Sequence, residues 1–487
     1  MLFNSYLFIF LFLPLSLLGY FGLNHMGKPK AALVFLTGMS LWFCGFGSLS
    51  YLVILLFSIL VNYGIVAFMN RTKNRGARKL CLLGGIFVNI GILFYFKYYD
   101  FFIENLNSAL KTGFPLLHLA LPLGISFYTF QQLSYVIDSY KGECGHYGFL
   151  EYAAYASFFP KLIQGPITGH RELILQLRDD TRKKPDFVNL SQGLYAFSLG
   201  LAKKVLLADT LSGPVSLGYT NIGELNSVSA LTVMICYSLQ IYFDFSGYCD
   251  MACGMALMMN LRLPLNFNSP YRAQSVSDFW DRWHMTLTKF FTKYIYFPLG
   301  GSRCGKIKTC RNVLIVFLLS GLWHGANWTF VLWGAMHGLV SVFEKMGNIR
   351  SRKAPKALKV GLTFLFVTFA WSLFRAGSFA EASALWHRLL FAGPGPLYPP
   401  ITDCFRDLVE ASFLYRAGLG GLMNRFPWMI PALFIGAVLL SCFLMKNTQE
   451  KMEKMEFSAG KCIAAAVLLV WSVLSLSEIS EFIYFNF

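Results

Sequence analysis

The sequence predicts an all-α polytopic membrane protein, and three observations carry that reading. The 487 residues are 55% hydrophobic and 17% aromatic but only 14% charged, too little charge to cover soluble domains of that length. Apolar runs of roughly 18–22 residues recur from end to end, each long enough to cross a hydrocarbon core. The basic residues collect in short loops between these runs, as the positive-inside rule requires. They are Arg71, Lys73, Arg75, Arg78 and Lys79, then Arg303, Lys306, Lys308 and Arg311, then Lys345, Arg350, Arg352, Lys353, Lys356 and Lys359. This clustering accounts for the net charge of +17. No basic stripe interleaved with aromatics lies outside the membrane runs, so no nucleic acid is expected as a partner.

Taken in order, the first run, Leu2 to Leu23, has no positive charge ahead of it, the earliest lysine being Lys28. It also lacks a small-residue cleavage site, so it reads as a retained span with its N-terminus outside. Spans follow at 31–47 and 49–69, then the basic loop 70–79, then spans at 80–99 and 115–138. The last of these carries Gln131, Gln132 and Asp138, unusual polarity for a lipid-facing helix. Residues 149–168 are apolar but interrupted by Pro160, Lys161, Gln164 and Pro166. They read as a re-entrant or in-plane segment, which survives at membrane depth only under cover of protein or a water-filled cavity. The charged loop 171–184 is cytosolic, and spans at 187–207 and 227–258 come next.

Beyond the proline-punctuated linker LNFNSPY, Ser275 and Asp278 make a helix-start signal. Phe279, Trp283, Leu287, Phe290 and Tyr294 fall on one stripe of the helix it predicts. An amphipathic helix so rich in Trp and Lys lies in the membrane interface over 278–297. Residues 312–343 are flanked by basic clusters on both sides and must dip in and return, with His324 near the turn. Spans at 360–376, 428–445 and 462–478 bring the total to about eleven crossings, with 377–427 outside.

Two histidines stand out, each directly after a tryptophan: His284 in FWDRWHMTL and His324 in SGLWHGANW. An ionisable residue in an apolar segment is a functional-site hypothesis by default. On a helix, Ser320, His324 and Asn327 share a face, a polar stripe that can orient an imidazole as general base. Asp281 and Thr288 fall on the face of His284. The alternative reading is a hydrogen-bonded core histidine for His324 and an interfacial one for His284. Asp244 and Asp250 are six residues apart and point in different directions, which favours a structural network with Ser246 over a paired acid and base. His337 lies 13 residues beyond His324, about 140° away on a continuous helix, and reads as packing or tunnel lining. His25, His146, His170 and His387 sit in or beside loops. The 11 cysteines are scattered, without a CxxC pair or metal-ligand spacing, and read as buried thiols. No Gly-rich phosphate loop, nucleophile elbow or metal motif occurs.

The motifs together resemble the membrane-bound O-acyltransferase (MBOAT) family, in particular its bacterial alginate O-acetylation branch. They are FNSYLFIFLFLPL, PLGISFYTFQQLSYVID, FFPKLIQGPI, YFDFSGYCDMA, LNFNSPY, FWDRWHMTL, YIYFPLGGSR and SGLWHGANW, in order along nearly the whole chain. The resemblance implies one MBOAT membrane domain over 1–487, a ring of helices around a central tunnel. Within it would lie N-terminal helices at 1–140, a catalytic core at 141–343 and C-terminal helices at 344–487. It implies His324 and His284 as catalytic residues. The other residues expected to meet substrate are Ser320, Asn327, Asp281, Trp283, Trp323, Asp244, Gln131 and Gln164. The implied reaction passes an acetyl group from a cytosolic thioester, acetyl-CoA or another acyl thioester, toward an extracytoplasmic polysaccharide. No bound cofactor is implied. A periplasmic or surface SGNH-hydrolase-type acetyltransferase is the expected partner, membrane lipid the surroundings, and the bacterial cytoplasmic membrane the location. Asp281 stands where basic residues are common in the family. A D-alanyl transferase for teichoic acid and a transporter with a histidine proton relay are the competing expectations.

Overall fold

In lipid every backbone group must be satisfied internally, which helices do segment by segment. The computed structural model describes residues 1–347, 354–453, 458–476 and 482–483, and among them the chain is helical without a strand. Arg350, Arg352 and Lys353 of the third basic cluster, and the end of the 462–478 span, lie outside the described residues.

Among the described residues, five helices are long and apolar enough to cross a membrane: Phe8–His25, Leu49–Arg71, Arg75–Leu110, Ser227–Met258 and Lys356–Arg375. A sixth arises if Val409–Arg425 and Met429–Leu444, bent by 102° at their junction, count as one span. About eleven were expected, and length and composition separate the two numbers: Pro29–Gly45, Ile125–Lys141 and Ala459–Leu474 are only 16–17 residues long. The Leu49–Arg71 helix turns Leu49, Val53, Phe57, Leu60 and Phe68 outward, as a lipid-facing helix does. Ile125–Lys141 instead buries nearly every side chain, Gln131 and Gln132 included. Apolar runs that carry such polarity are covered by protein.

By its internal contacts the chain forms two compact units. The first comprises 1–201, 248–265 and the C-terminal segment from Met452. Phe3, Phe8, Phe12, Phe43 and Phe159 pack ring on ring in it. Asn89 Nδ2 donates to Asn62 Oδ1 at 2.6 Å, pinning the helices on either side of the basic 71–79 turn. The Asn74 side chain caps the helix that begins there by accepting from the Gly76 and Ala77 amides. The 149–168 stretch breaks into Phe149–Ser157 and Phe159–Leu162, then irregular backbone, buried almost throughout. Within it Lys161 donates to Gln131 Oε1 and rests over the Tyr155 ring.

The second unit comprises 202–247 and 266–451. Its centre is a helical hairpin, Lys306–His324 followed by Trp328–Met346, with His324 at the turn as expected. Glycines set the closeness of the two helices. A Cβ on Gly321 would overlap the Phe330 carbonyl oxygen, and one on Gly334 would overlap that of Phe317. Gly321→Ala should therefore cost about 1–3 kcal/mol through overpacking, read as a lower thermal midpoint in detergent. Gly361→Ala, where a Cβ meets open space, serves as the control and should leave the midpoint unchanged.

The expected in-plane helix over 278–297 is not continuous. Ser275 Oγ accepts from the Asp278 amide as the start signal requires, but the helix runs only Val276–Trp280. After a turn, Met285–Phe291 follows, then a π-helical turn at Thr292–Tyr296. The buried Glu344 carboxylate accepts from the Val276 and Ser277 amides at 2.7 and 2.9 Å. It thereby satisfies orphan donors of that first short helix and ties it to the hairpin.

Candidate active site

The hairpin delivers His324 as the last residue of its first helix. Gly325 turns extended (φ −158°, ψ 148°). Two residues later Asn327 begins the return helix, its Oδ1 accepting from the Thr329 amide at 3.0 Å and its Nδ2 donating to the Gly377 carbonyl at 2.9 Å. Asn327 is thus a cap and a tether, not a member of a continuous stripe with His324. Ser320 stays on the histidine's own helix one turn earlier, and is buried.

His324 is 1% exposed. Rings close around it: Trp323 at 5.0 Å, Trp333 at 5.2 Å and Phe374 at 5.1 Å between centroids, all edge-on. Edge-to-face packing of this kind is the favoured geometry for aromatic pairs. The ring of His284 lies 6.5 Å away. The two histidines, 40 positions apart in sequence, therefore share one buried aromatic box.

His284 reaches the box through an unusual backbone. It sits in the turn between the two short helices with φ +44°, the left-handed region that non-glycine residues rarely occupy. This breaks the helical register, so Asp281 and Thr288 do not flank it as the sequence suggested. Asp281 is exposed, and Thr288 donates to the Trp280 carbonyl. The orienting partner is Asn266, whose Oδ1 lies 3.1 Å from His284 Nδ1. The same oxygen accepts from the Thr286 hydroxyl at 2.9 Å and the Thr286 amide at 3.3 Å. An amide N–H can only donate, so this atom is the acceptor oxygen and His284 Nδ1 carries its proton. In the neutral ring Nε2 then holds a lone pair. Phe245 packs edge-on to His284 at 4.9 Å, and Trp323 at 6.0 Å.

The remaining candidates divide. Trp323 borders both imidazoles. Trp283 is fully buried behind them, stacked on Phe279 and tilted against Trp371 at 5.0 Å. Asp244 accepts from Lys204 Nζ at 2.8 Å, and Lys204 also meets Asp209 at 2.9 Å. That ion cluster is where the Asp244 carboxylate goes. Gln131 and Gln164 belong to the first unit, where both are buried. His337 accepts from Trp280 Nε1 at 3.2 Å, which makes it packing that anchors the short helix to the hairpin. Sequence reasoning passed over Asn266, Trp333, Phe374 and Lys204. Asn266 lies inside the noted LNFNSPY motif, but its partner is 18 positions away across a turn.

Two buried imidazoles in an aromatic box suit proton transfer at a reacting hydroxyl or thiol. A model of the membrane-bound O-acyltransferase family matches residues 86–376, a stretch that contains both histidines. The chain is 36% identical to the peptidoglycan O-acetyltransferase of Helicobacter pylori, over 100% of its own length and 98% of that protein. It is 34% identical to a probable alginate O-acetylase of Pseudomonas syringae pv. tomato, over 93% of this chain and 84% of the relative. Similarity to the teichoic acid D-alanyltransferase of Bacillus subtilis is lower, 26% over 68% of the chain and 86% of that enzyme. With its apolar helices and its paired histidines inside the matched region, the chain belongs to the membrane-bound O-acyltransferase family and is a membrane acyltransferase.

Proposed function

We propose that the protein sits in the bacterial cytoplasmic membrane and takes an acetyl group from a cytosolic thioester, acetyl-CoA or an equivalent. It would pass that group to a hydroxyl on the outer side, for O-acetylation of an extracytoplasmic glycan. The observation that carries this reading is the His324–His284 pair, 6.5 Å apart in an aromatic box.

In this mechanism neutral His324 is the general base. It accepts the proton of the acceptor hydroxyl as the oxygen attacks the thioester carbonyl, and returns it to the leaving thiolate. His324 ends a 19-residue helix, whose carbonyl end favours the positive charge the ring gains in that step. His284 has a different part. With Nδ1–H given to Asn266, its Nε2 accepts a hydrogen bond and does not donate one to a developing oxyanion. It therefore positions the thioester arm, through an amide or hydroxyl hydrogen on the donor. Trp323, Trp283, Trp333 and Phe374 keep water from hydrolysing the thioester. Ser320, buried one turn before His324, holds the acceptor hydroxyl in this scheme. Asp244 and Asn327 serve the site indirectly, through Lys204 and the hairpin turn. The immediate acceptor is a glycan hydroxyl or the serine of an SGNH-hydrolase-type partner.

Asn266→Ala should release the His284 ring and lower kcat by roughly ten- to a hundredfold, the size expected of a misplaced group. Asn266→Asp, which keeps the acceptor oxygen, should recover most of the loss. Equal kcat values for all three proteins would remove His284 from the mechanism.

The acceptor is tested with purified protein, labelled acetyl-CoA and a series of glycans, with and without a partner hydrolase. Acetyl ester on peptidoglycan or alginate fits the proposal, and the full-length similarity to O-acetyltransferases favours it. Transfer of D-alanine to teichoic acid, with no acetyl transfer, would replace it.

A further inference from the structure

Away from the histidine pair, the first unit holds a second constellation with the composition of a nucleophilic centre. His170 begins the helix His170–Arg178 and is buried. Its Nε2 lies 3.2 Å from Asp138 Oδ2, near the end of the Ile125–Lys141 helix. Its Nδ1 faces the Cys144 sulphur at 3.7 Å and the Tyr147 hydroxyl at 3.0 Å, both on the loop that joins Ile125–Lys141 to Phe149–Ser157. Tyr135, Tyr147 and Tyr155 hold the imidazole between their rings at 5.7, 5.6 and 6.4 Å.

This order, thiol to imidazole to carboxylate, is the one in which a base activates a nucleophile and a third group orients the base. With Nε2–H given to Asp138, Nδ1 holds the ring's one in-plane lone pair, shared by the Tyr147 hydroxyl at 3.0 Å and the Cys144 thiol at 3.7 Å. Burial works against charge on His170. The Asp138 hydrogen bond and a negative charge on the adjacent Cys144 sulphur outweigh it and raise the imidazole to about 9, so the imidazolium is favoured once the thiol has given up its proton.

The nucleophile is within reach of a solute. Cys144 is half-buried on a loop whose Glu143, Gly145 and His146 are exposed. The loop is held in shape: Arg178 pairs with Glu151 through two bonds of 2.7 and 2.6 Å, donates to the His146 carbonyl at 2.8 Å and covers the Tyr147 ring. The surroundings carry both signs of charge, with Glu143 and Glu172 exposed beside the basic residues. Arg78 donates to the Tyr140 carbonyl at 3.1 Å, which brings the 71–79 cluster beside this end of the helix, and Lys141 and Arg171 are exposed nearby in sequence. On the positive-inside argument this end faces the cytosol.

We propose that Cys144, His170 and Asp138 form a second acyl-transfer centre, at which the acyl group of a cytosolic thioester is held as an S-acyl group on Cys144. The inference rests on the thioester donor of the proposed function. The Cys144 proton passes to His170 Nδ1 as the sulphur attacks the acyl carbonyl carbon. The carbon–sulphur bond of the donor breaks, and its thiolate takes the proton from Nδ1. One thioester is exchanged for another, with no oxidant, reductant or further reactant. Asp138 steadies the imidazolium between the two transfers. The Tyr147 hydroxyl, no longer able to donate to a protonated Nδ1, is freed to donate to the tetrahedral oxyanion.

The test uses the full-length protein in detergent with radiolabelled acetyl-CoA, quenched in acid and read by peptide mass. The expected product is one hydroxylamine-labile acetyl group on Cys144. It should accumulate in His324→Ala, where onward transfer is blocked, and be absent in Cys144→Ala. His170→Gln should slow its formation by about 10² or more, with Asp138 and Tyr147 untouched and the thermal midpoint measured to verify folding. Label spread over several cysteines, or forming as fast in His170→Gln, marks uncatalysed thiol exchange and overturns the proposal, as does no label at all. Glycan acetylation that depends on His324 while Cys144 stays unlabelled removes the thiol centre and leaves the proposed function standing. A labelled Cys144 with no glycan acetylation supports the thiol centre and counts against the proposed acceptor.

Discussion

Replacing His324 with Ala should lower kcat for acyl transfer by roughly 10²–10⁴-fold, the range that general-base catalysis supplies, or about 3–5 kcal/mol of barrier. The loss should fall on kcat and leave donor KM nearly unchanged, because the box around His324 is built from Trp323, Trp333 and Phe374, which remain. His324→Gln, closer in volume but without a group that takes a proton near neutral pH, should be as inactive. The pair separates chemistry from packing. If the cavity were the cause, Gln would restore activity; if the proton is the cause, it will not. Thermal midpoints in detergent should show both variants folded.

Lys204→Met should produce the largest loss of stability. Lys204 and Asp244 are each 2% exposed in their side chains and lie 2.8 Å apart. Removing the ammonium leaves the Asp244 carboxylate buried without that cation, and breaking a buried pair from one side costs about 3–5 kcal/mol. Asp209, which also meets Lys204 at 2.9 Å, is 26% exposed and can turn to solvent. The double variant Lys204→Met with Asp244→Leu should therefore regain most of the loss, since well-packed apolar replacement of a buried ion pair is often neutral. Single and double variants with the same midpoint would mean that the pair carries little of the fold.

The membrane fold and the two histidines were legible in the sequence for the same reason: each is a contrast in composition. A chain this apolar has few options but helices in lipid, and a histidine in SGLWHGANW is conspicuous because its neighbours could all sit in hydrocarbon. Pairwise geometry was far less legible. Asp281 and Thr288 were assigned to His284 by assuming an unbroken helix. The left-handed turn at His284 cancelled that register and gave the ring to Asn266 instead. Ser320, His324 and Asn327 were aligned on one face by the same assumption, and the helix ends at His324. The ion partner of Asp244 is Lys204, 40 positions away, a distance at which nothing local signals contact. The number of expected crossings exceeded the number of long apolar helices because several apolar runs fold as helices of 16–17 residues, as Pro29–Gly45 and Ile125–Lys141 do. His170 was passed over as a loop residue, although folding buries it against Asp138.

The most direct measurement is transfer by the protein reconstituted in sealed vesicles, with labelled acetyl-CoA on one side only and the acceptor glycan on the other. Wild type should place acetyl ester on the glycan only when the donor is on the side of the 71–79 and 171–184 loops, and the His324→Ala protein should place none. Equal transfer by wild type and His324→Ala, or transfer that requires donor and acceptor on the same side, would contradict the reading of this protein as a transmembrane acetyltransferase with His324 as its base.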